Sequence, residues 1–339
     1  MNVASRFTVW FTKDSFGKRR KSLWLSNIKS FCAFLVCAVM TFLFVSNIMT
    51  GGLDDETRLL LHQIIQGNIT KSKNRSFSEE KSLRLISHNL WCDFLKPHVM
   101  WDVSERIEGL AEGIKDFDVA LIQEAYILNT GVAVVSKCAS LLVKAMKKRG
   151  FHYRTSIADF SAPYFGQSGG IVIFSRIQLI NTFSTRYRHY SVPQVADFRG
   201  FVIGEFLFQH QHLYVINTHL DPHGVDARVL QAKEIAEAIQ NFSTGSHIVV
   251  AGDFNIDNHH ATTSNSSEEY KKLLETMRVV GLQSVFQVRM ETSIEHGNFD
   301  AIFTSSNVAV VKKEIIKLRT KRNSSVSDHF GLAVELKLL

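Results

Sequence analysis

Hydrophobic and polar positions change their period along this chain in a regular way. From about residue 83 to 339, short apolar or alternating runs take turns with stretches at helical spacing. The strand-like runs are 83–91, 119–124, 170–174, 201–208, 213–218, 247–250, 299–303 and 331–338. Helical patterns cover 103–115, 132–149, 227–242 and 267–280. Helices laid on the outer faces of two packed sheets are the economical way to bury such elements. His210, Gln211 and His212 read as a hairpin turn, and His259 and His260 as part of a solvated loop. No internal repeat or low-complexity segment interrupts the series, and 4 prolines in 339 residues argue against a long linker within it.

Before residue 82 the pattern is different. Residues 31–53 carry no charge, and their apolar part, 31–49, would span about 28 Å as a helix, close to a bilayer's hydrocarbon core. Arg6, Lys13, Lys18, Arg19, Arg20, Lys21 and Lys29 precede it with Asp14 as the lone anion, and Asp54, Asp55 and Glu56 follow. This asymmetry predicts a basic cytoplasmic tail (1–30), an uncleaved transmembrane signal-anchor (31–53), a stalk (54–81) and an extracytosolic domain (82–339), lumenal or extracellular. A cleaved signal peptide is the rival, but about 30 residues precede the apolar run and no small-residue cleavage site follows it.

Most of the formal charge of +7 belongs to this tail, so the domain beyond it is nearly neutral. That weakens a polyanion as substrate. Five Asn-x-Ser/Thr sites, at Asn68, Asn74, Asn241, Asn265 and Asn323, fit an extracytosolic domain. Cys92 and Cys138 allow one bridge, which the sequence alone does not establish.

The candidate chemistry sits where strands end. Asn89 closes the first strand and Glu124 the second, a pair suited to a hard divalent cation. His219 ends the 213–218 strand, and Ala251-Gly252-Asp253-Phe254-Asn255 follows the next. On extended backbone Asp253 and Asn255 would point the same way. Asp300 lies in a late strand, and Ser327-Asp328-His329 precedes the last one.

In this order, Asn89, Gln123-Glu124, Asn217-Thr218-His219, Gly252-Asp253-Phe254-Asn255, Asp300 and Ser327-Asp328-His329 resemble the signature of the endonuclease/exonuclease/phosphatase superfamily, the DNase I-like fold. Asn89-Leu90-Trp91, Gln123-Glu124-Ala125-Tyr126 and the 168–176 run look most like the neutral and bacterial sphingomyelinase branch. The resemblance implies a four-layer α/β/β/α sandwich. It implies Mg²⁺, with Mn²⁺ as the alternative, held by Asn89 and Glu124, with Asp328 backing the metal's ligands and waters or holding the His329 loop. It implies His329 as general base oriented by Asp300, His219 and Asn255 as donors to phosphate oxygens, and Asp253 managing the leaving group or a second metal-bound water. Chemistry alone would let His219 and His329 exchange roles. Tyr126 and Arg199 are candidate substrate contacts, Arg199-Gly200 standing where relatives often have Lys-Gly, and Ala301 replaces an aromatic residue common after the late Asp.

The expected function is a membrane-anchored phosphodiesterase acting on sphingomyelin or a related choline phospholipid at a membrane surface. Residues 160–165 and 187–190 are its candidate aromatic rim loops. No obligate nucleic acid and no protein partner is implied. A DNase I-like endonuclease, a phosphoinositide phosphatase and a non-catalytic binding protein on this fold are the alternatives.

Overall fold

The computed structural model describes residues 82–92, 102–130, 133–157, 166–192, 198–257, 267–286 and 290–339. The expected tail, anchor and stalk lie outside these residues, as do 160–165, His259, His260, Asn68, Asn74 and Asn265. Among the described residues no helix is long and apolar enough to cross a membrane.

In chain order the elements are β1 (Leu83–Cys92), α1 (Val103–Gly113), β2 (Val119–Ala125), β3 (Leu128–Asn129), β4 (Val134–Val135), α2 (Lys137–Lys148), β5 (Tyr153–Arg154), β6 (Gly166–Gln167), β7 (Val172–Ser175), β8 (Leu179–Arg186), β9 (Gly200–Phe208) and β10 (Gln211–His219). Then follow α3 (Val225–Ile239), β11 (His247–Asp253), α4 (Glu268–Val279), β12 (Leu282–Ser284), β13 (Asp300–Ser305), β14 (Val308–Ile316) and β15 (Gly331–Leu338). One six-stranded sheet has the order β14-β15-β1-β2-β7-β5 and the other β12-β13-β11-β10-β9-β8, with β4-β3-β6 as a small third sheet.

Alternation along the strands divides the core in three. Leu83, Leu85, Val119, Leu121, Val215, Val249 and Ile302 fill the space between the two large sheets. The opposite faces of the same strands pack elsewhere: Ile86, Ala120 and Ile122 against α1 and α2, and Ile216, Ile248 and Phe303 against α3 and α4. Burying both faces of both sheets gives the expected α/β/β/α sandwich.

Each large sheet contains one parallel pair, β1 with β2 and β10 with β11, and antiparallel pairs otherwise. The carboxyl ends of these four strands carry Asn89, Glu124, His219 and Asp253. Gly252 permits the β10–β11 approach: its φ is +152°, and a Cβ there would meet the Thr218 carbonyl oxygen at 2.0 Å. A buried amide pair joins the sheets, Gln123 Nε2 donating to Asn217 Oδ1 at 2.7 Å and to Ser87 Oγ at 3.1 Å.

Several expectations shift. The 132–149 helical pattern holds a strand, β4, before α2 begins. The β9–β10 turn is Gln209-His210, both at positive φ as a two-residue hairpin requires, so Gln211 and His212 belong to β10. The strand β8 has no counterpart in the sequence reading because all but its first residue are exposed. Cys92 and Cys138 form a disulfide with Cα atoms 6.5 Å apart, tying the end of β1 to α2.

Candidate active site

The site begins with a break in regular pairing. β1 and β2 are in register to Asn89↔Gln123, then shift before Cys92↔Ala125. Trp91 and Glu124 take left-handed backbone, φ +55° and +58°, at this bulge. Bulges re-aim side chains, and here the result is that Asn89 reaches two carboxylates. Its Nδ2 donates to Glu124 Oε1 at 3.1 Å and to Asp253 Oδ2 at 3.0 Å, while Oδ1 accepts from the Trp91 amide.

Asp253 is the hub. His219 Nε2 lies 3.4 Å from its Oδ2 and 3.9 Å from Glu124 Oε1. His329 Nε2 lies 3.7 Å from the same Oδ2, and His329 Nδ1 is 2.9 Å from Asp300 Oδ2. An imidazole with a carboxylate on Nδ1 and its Nε2 facing the site is an oriented proton carrier. His219 Nδ1 has no such partner. The orienter is therefore on His329, which separates two histidines that spacing alone leaves interchangeable.

Burial dominates the electrostatics. It pushes the Glu124 carboxyl up to about 7, against the pull of Arg199 and the Asn89 hydrogen bond, and raises Asp253 and Asp328 as well. It drives His219 well below the usual histidine range, with Arg199 and His329 adding to the effect. For His329 burial also favours the neutral ring, but Asp300, Asp253 and Asp328 together hold it well above that range.

Donor atoms of Glu124, His219 and Asp253 lie within 4.8 Å of one another, as do those of Asp253, Asp300 and His329. Buried carboxylates that resist ionisation and are bridged by an amide fit a hard cation, which would offset the charge that burial penalises. The sequence expectation named Asn89, Glu124 and Asp328 for that role. The structure gathers Glu124 with His219 and Asp253; Asn89 presents its amide nitrogen, and a half-turn of the amide would present its oxygen instead. Asp328 accepts from Ser327 Oγ at 3.2 Å and reaches the group through charge.

The remaining candidates line the site's edge. Arg199 and Tyr126 are buried together, Arg199 donating to the Tyr126 hydroxyl at 3.0 Å and to the Leu220 carbonyl at 3.1 Å. Asn255 is not on extended backbone: β11 ends at Asp253 and Asn255 has φ +51°. Its Nδ2 donates to the Leu220 carbonyl at 2.9 Å and its amide to Asp253 Oδ1 at 2.9 Å. The expectation that Asp253 and Asn255 share a strand face therefore fails. Tyr187 also departs from its expected rim role; it is buried against Thr218, and only Tyr190 of 187–190 exposes a large ring.

Sequence reasoning missed two features. Arg106, on α1, is buried beneath the β1 bulge, where a lone helical cation gives no signal. Lys317, Arg319, Lys321 and Arg322 are exposed on the loop joining β14 to β15, at the end of the sheet where His329 sits. Their local clustering was hidden by the domain's near-neutral total.

The model of the Endonuclease/Exonuclease/phosphatase family matches residues 86–329. The chain belongs to this family. Sphingomyelinase C from Bacillus cereus is 21% identical over 218 residues, covering 60% of this chain and 65% of that relative, so the match spans less than two thirds of the relative's length. Among solved structures, sphingomyelinase C from Streptomyces griseocarneus has a TM-score of 0.57 at 15% identity, covering 75% of this chain and 99% of that one. A beta toxin mutant from Staphylococcus aureus, with bound magnesium ions, has a TM-score of 0.57 at 18% identity, covering 76% of this chain and 100% of that one. At such identities the structures speak for the fold. Within the family, bacterial sphingomyelinases are among the proteins this chain is similar to.

Proposed function

We propose that this protein is a divalent-metal-dependent phosphodiesterase that hydrolyses sphingomyelin or a related choline phospholipid at a membrane surface. The observation that carries the chemistry is the 2.9 Å His329–Asp300 pair facing carboxylates bridged by Asn89. His329 takes the proton of the attacking water, and Asp300 fixes its tautomer and stabilises the imidazolium. Glu124 and Asp253, with Asn89 beside them, would hold Mg²⁺ or Mn²⁺. Such a cation supplies Lewis-acid polarisation of a phosphate oxygen and a counter-charge that lets His329 shed its proton. His219, kept neutral, and the second hydrogen of the Asn255 amide donate to phosphate oxygens as charge builds. Arg199, braced by Tyr126 and Leu220, adds positive charge near Glu124.

The lipid rests on the sphingomyelinase relatives and on the apolar 31–53 segment, read as an anchor with the domain extracytosolic. The Cys92–Cys138 disulfide supports that compartment, because such bonds persist where the surroundings are oxidising. The nuclease is the second reading, favoured by the exposed cations of the 317–322 loop on the His329 side. The test compares full-length protein in mild detergent on sphingomyelin vesicles and on plasmid DNA, with Mg²⁺ and with chelator. Sphingomyelin cleavage abolished by chelator, and by Glu124→Ala, is expected. Efficient DNA nicking at moderate salt with sphingomyelin intact would replace the lipid reading with the nuclease.

A further inference from the structure

The bulge that aims Asn89 and Glu124 has a cost: carbonyls at the end of β1 lose their ladder partners, and buried carbonyls require donors. Arg106 supplies them. Its Nη2 donates to the Leu90 carbonyl and, at 2.8 Å, to the Trp91 carbonyl. Its Nε donates at 2.7 Å to the Val326 carbonyl, two residues before Asp328. The Trp91 ring lies against the same guanidinium, 5.4 Å from Cζ to centroid. One planar group thus touches the strand end behind Asn89 and the loop ahead of His329. Its charge is 7% exposed and faces Asp328 and Glu124.

The two arms have little else in common along the sequence: Leu90 and Val326 are 16 and 220 residues from Arg106. Across the sheet, β1 pairs with β15 only as far as Ser87↔Leu332, short of both Asn89 and His329. Beyond that pair the ladder no longer sets the spacing. A guanidinium fork suits the task because its donors keep a fixed relative direction, whereas an ammonium would supply charge without that geometry.

We propose that Arg106 is a positioning residue, the clamp that holds the bulged end of β1 and the 326–329 loop at the separation the reaction needs. This rests on the phosphodiesterase reading for its kinetic consequence only. The contacts that define the role of Arg106 are to the Leu90, Trp91 and Val326 carbonyls and the Trp91 ring, none of them a reacting group. Arg106 acts through Asn89 on one side and through Asp328 and His329 on the other.

The test uses full-length protein in mild detergent with Arg106→Lys, and Arg106→Gln as the harsher change. Hydrogen exchange is followed on peptides covering 88–92 and 325–330. Arg106→Lys should speed exchange in both segments by about tenfold or more, while α3 and α4 stay protected. On a soluble phosphocholine ester, kcat should fall roughly 10–100-fold with KM within about twofold, the usual range for residues that orient metal-site ligands. If Arg106→Gln does not fold, the Lys variant carries the test. Wild-type exchange in either segment of Arg106→Lys overturns the clamp. Faster exchange with unchanged kcat makes the role merely structural and overturns it equally. A wild-type protein inactive on every phosphodiester sinks the proposed function instead, and the exchange result then decides the clamp alone.

Discussion

Replacing Gly252 by Ala should dismantle the site from within its frame. A Cβ on Gly252 would lie 2.0 Å from the Thr218 carbonyl oxygen and 3.0 Å from the Thr218 nitrogen. These are backbone atoms of the residue paired with Gly252 in the parallel ladder, so no side chain can swing aside. Carbon–oxygen contacts in sheets settle at about 3.3–3.6 Å, so β10 and β11 must part locally by about 1 Å or more. The positive φ adds about 1–3 kcal/mol for an L-residue, and one or two weakened ladder bonds add about 1 kcal/mol each. The expected loss is about 2–5 kcal/mol, a large part of an ordinary domain's stability of about 5–15 kcal/mol. The next pair in the ladder is His219↔Asp253, and an error of about 1 Å in such groups costs roughly 100-fold in rate. Urea unfolding followed by circular dichroism gives the first quantity, and kcat at a temperature where the variant is folded gives the second. A variant within about 1 kcal/mol of wild type, or with kcat within about threefold, would refute the reasoning.

Asp300→Asn should lower kcat by about 10²–10⁴-fold, because the amide no longer stabilises the imidazolium. His329 is held above its ordinary range mainly by Asp300 against burial, so the stability this gives is full below the unfolded histidine pKa and fades as pH rises through the raised folded value. The variant's deficit in thermal melts should therefore be largest at mildly acidic pH and shrink in alkali; a deficit that grows with pH contradicts the assignment. Reducing Cys92–Cys138, which closes a separation of 46 residues, should cost about 4 kcal/mol in urea titrations with and without reductant, and an unmoved midpoint would show that the bond contributes nothing. If the domain is extracytosolic, Asn241, exposed after α3 at the end of the sheet away from the site, should carry a glycan. Full-length protein from secretory cells should then shift on glycosidase treatment, and Asn241→Gln should remove that step; no shift argues against the orientation.

The layers were legible because strands buried on both faces leave near-continuous apolar runs, as in 119–124 and 247–250, and helices leave a 3.6 period. The ends of those runs pointed to Asn89, Glu124, His219 and Asp253, because a strand must stop where its side chains turn to other work. What stayed hidden depends on contacts between distant residues. β8 lies at a sheet edge with Ile180 and Phe183 exposed among its polar residues, so no periodicity marks it. Asn255 obeys a left-handed turn rather than the strand before it. Gln123 and Asn217 belong to the signature, yet they hydrogen-bond each other across the interior, a role that needs both sheets to be seen. Nothing in a helical Arg-Ile-Glu sequence says that the arginine points inward.

The order in which the chain visits its two sheets also sets a timetable. The sheet built from β8 to β13 is one continuous stretch, but the first sheet is begun by β1 and β2 and finished only by β14 and β15. Asp300 and His329 come late, and the strand that follows His329 lies between β14 and β1. A ribosome that has delivered every residue up to 320 has therefore made most of the scaffold and no competent enzyme. On the proposed lipid reading, the unfinished chain would thus remain harmless to a nearby membrane through most of its synthesis.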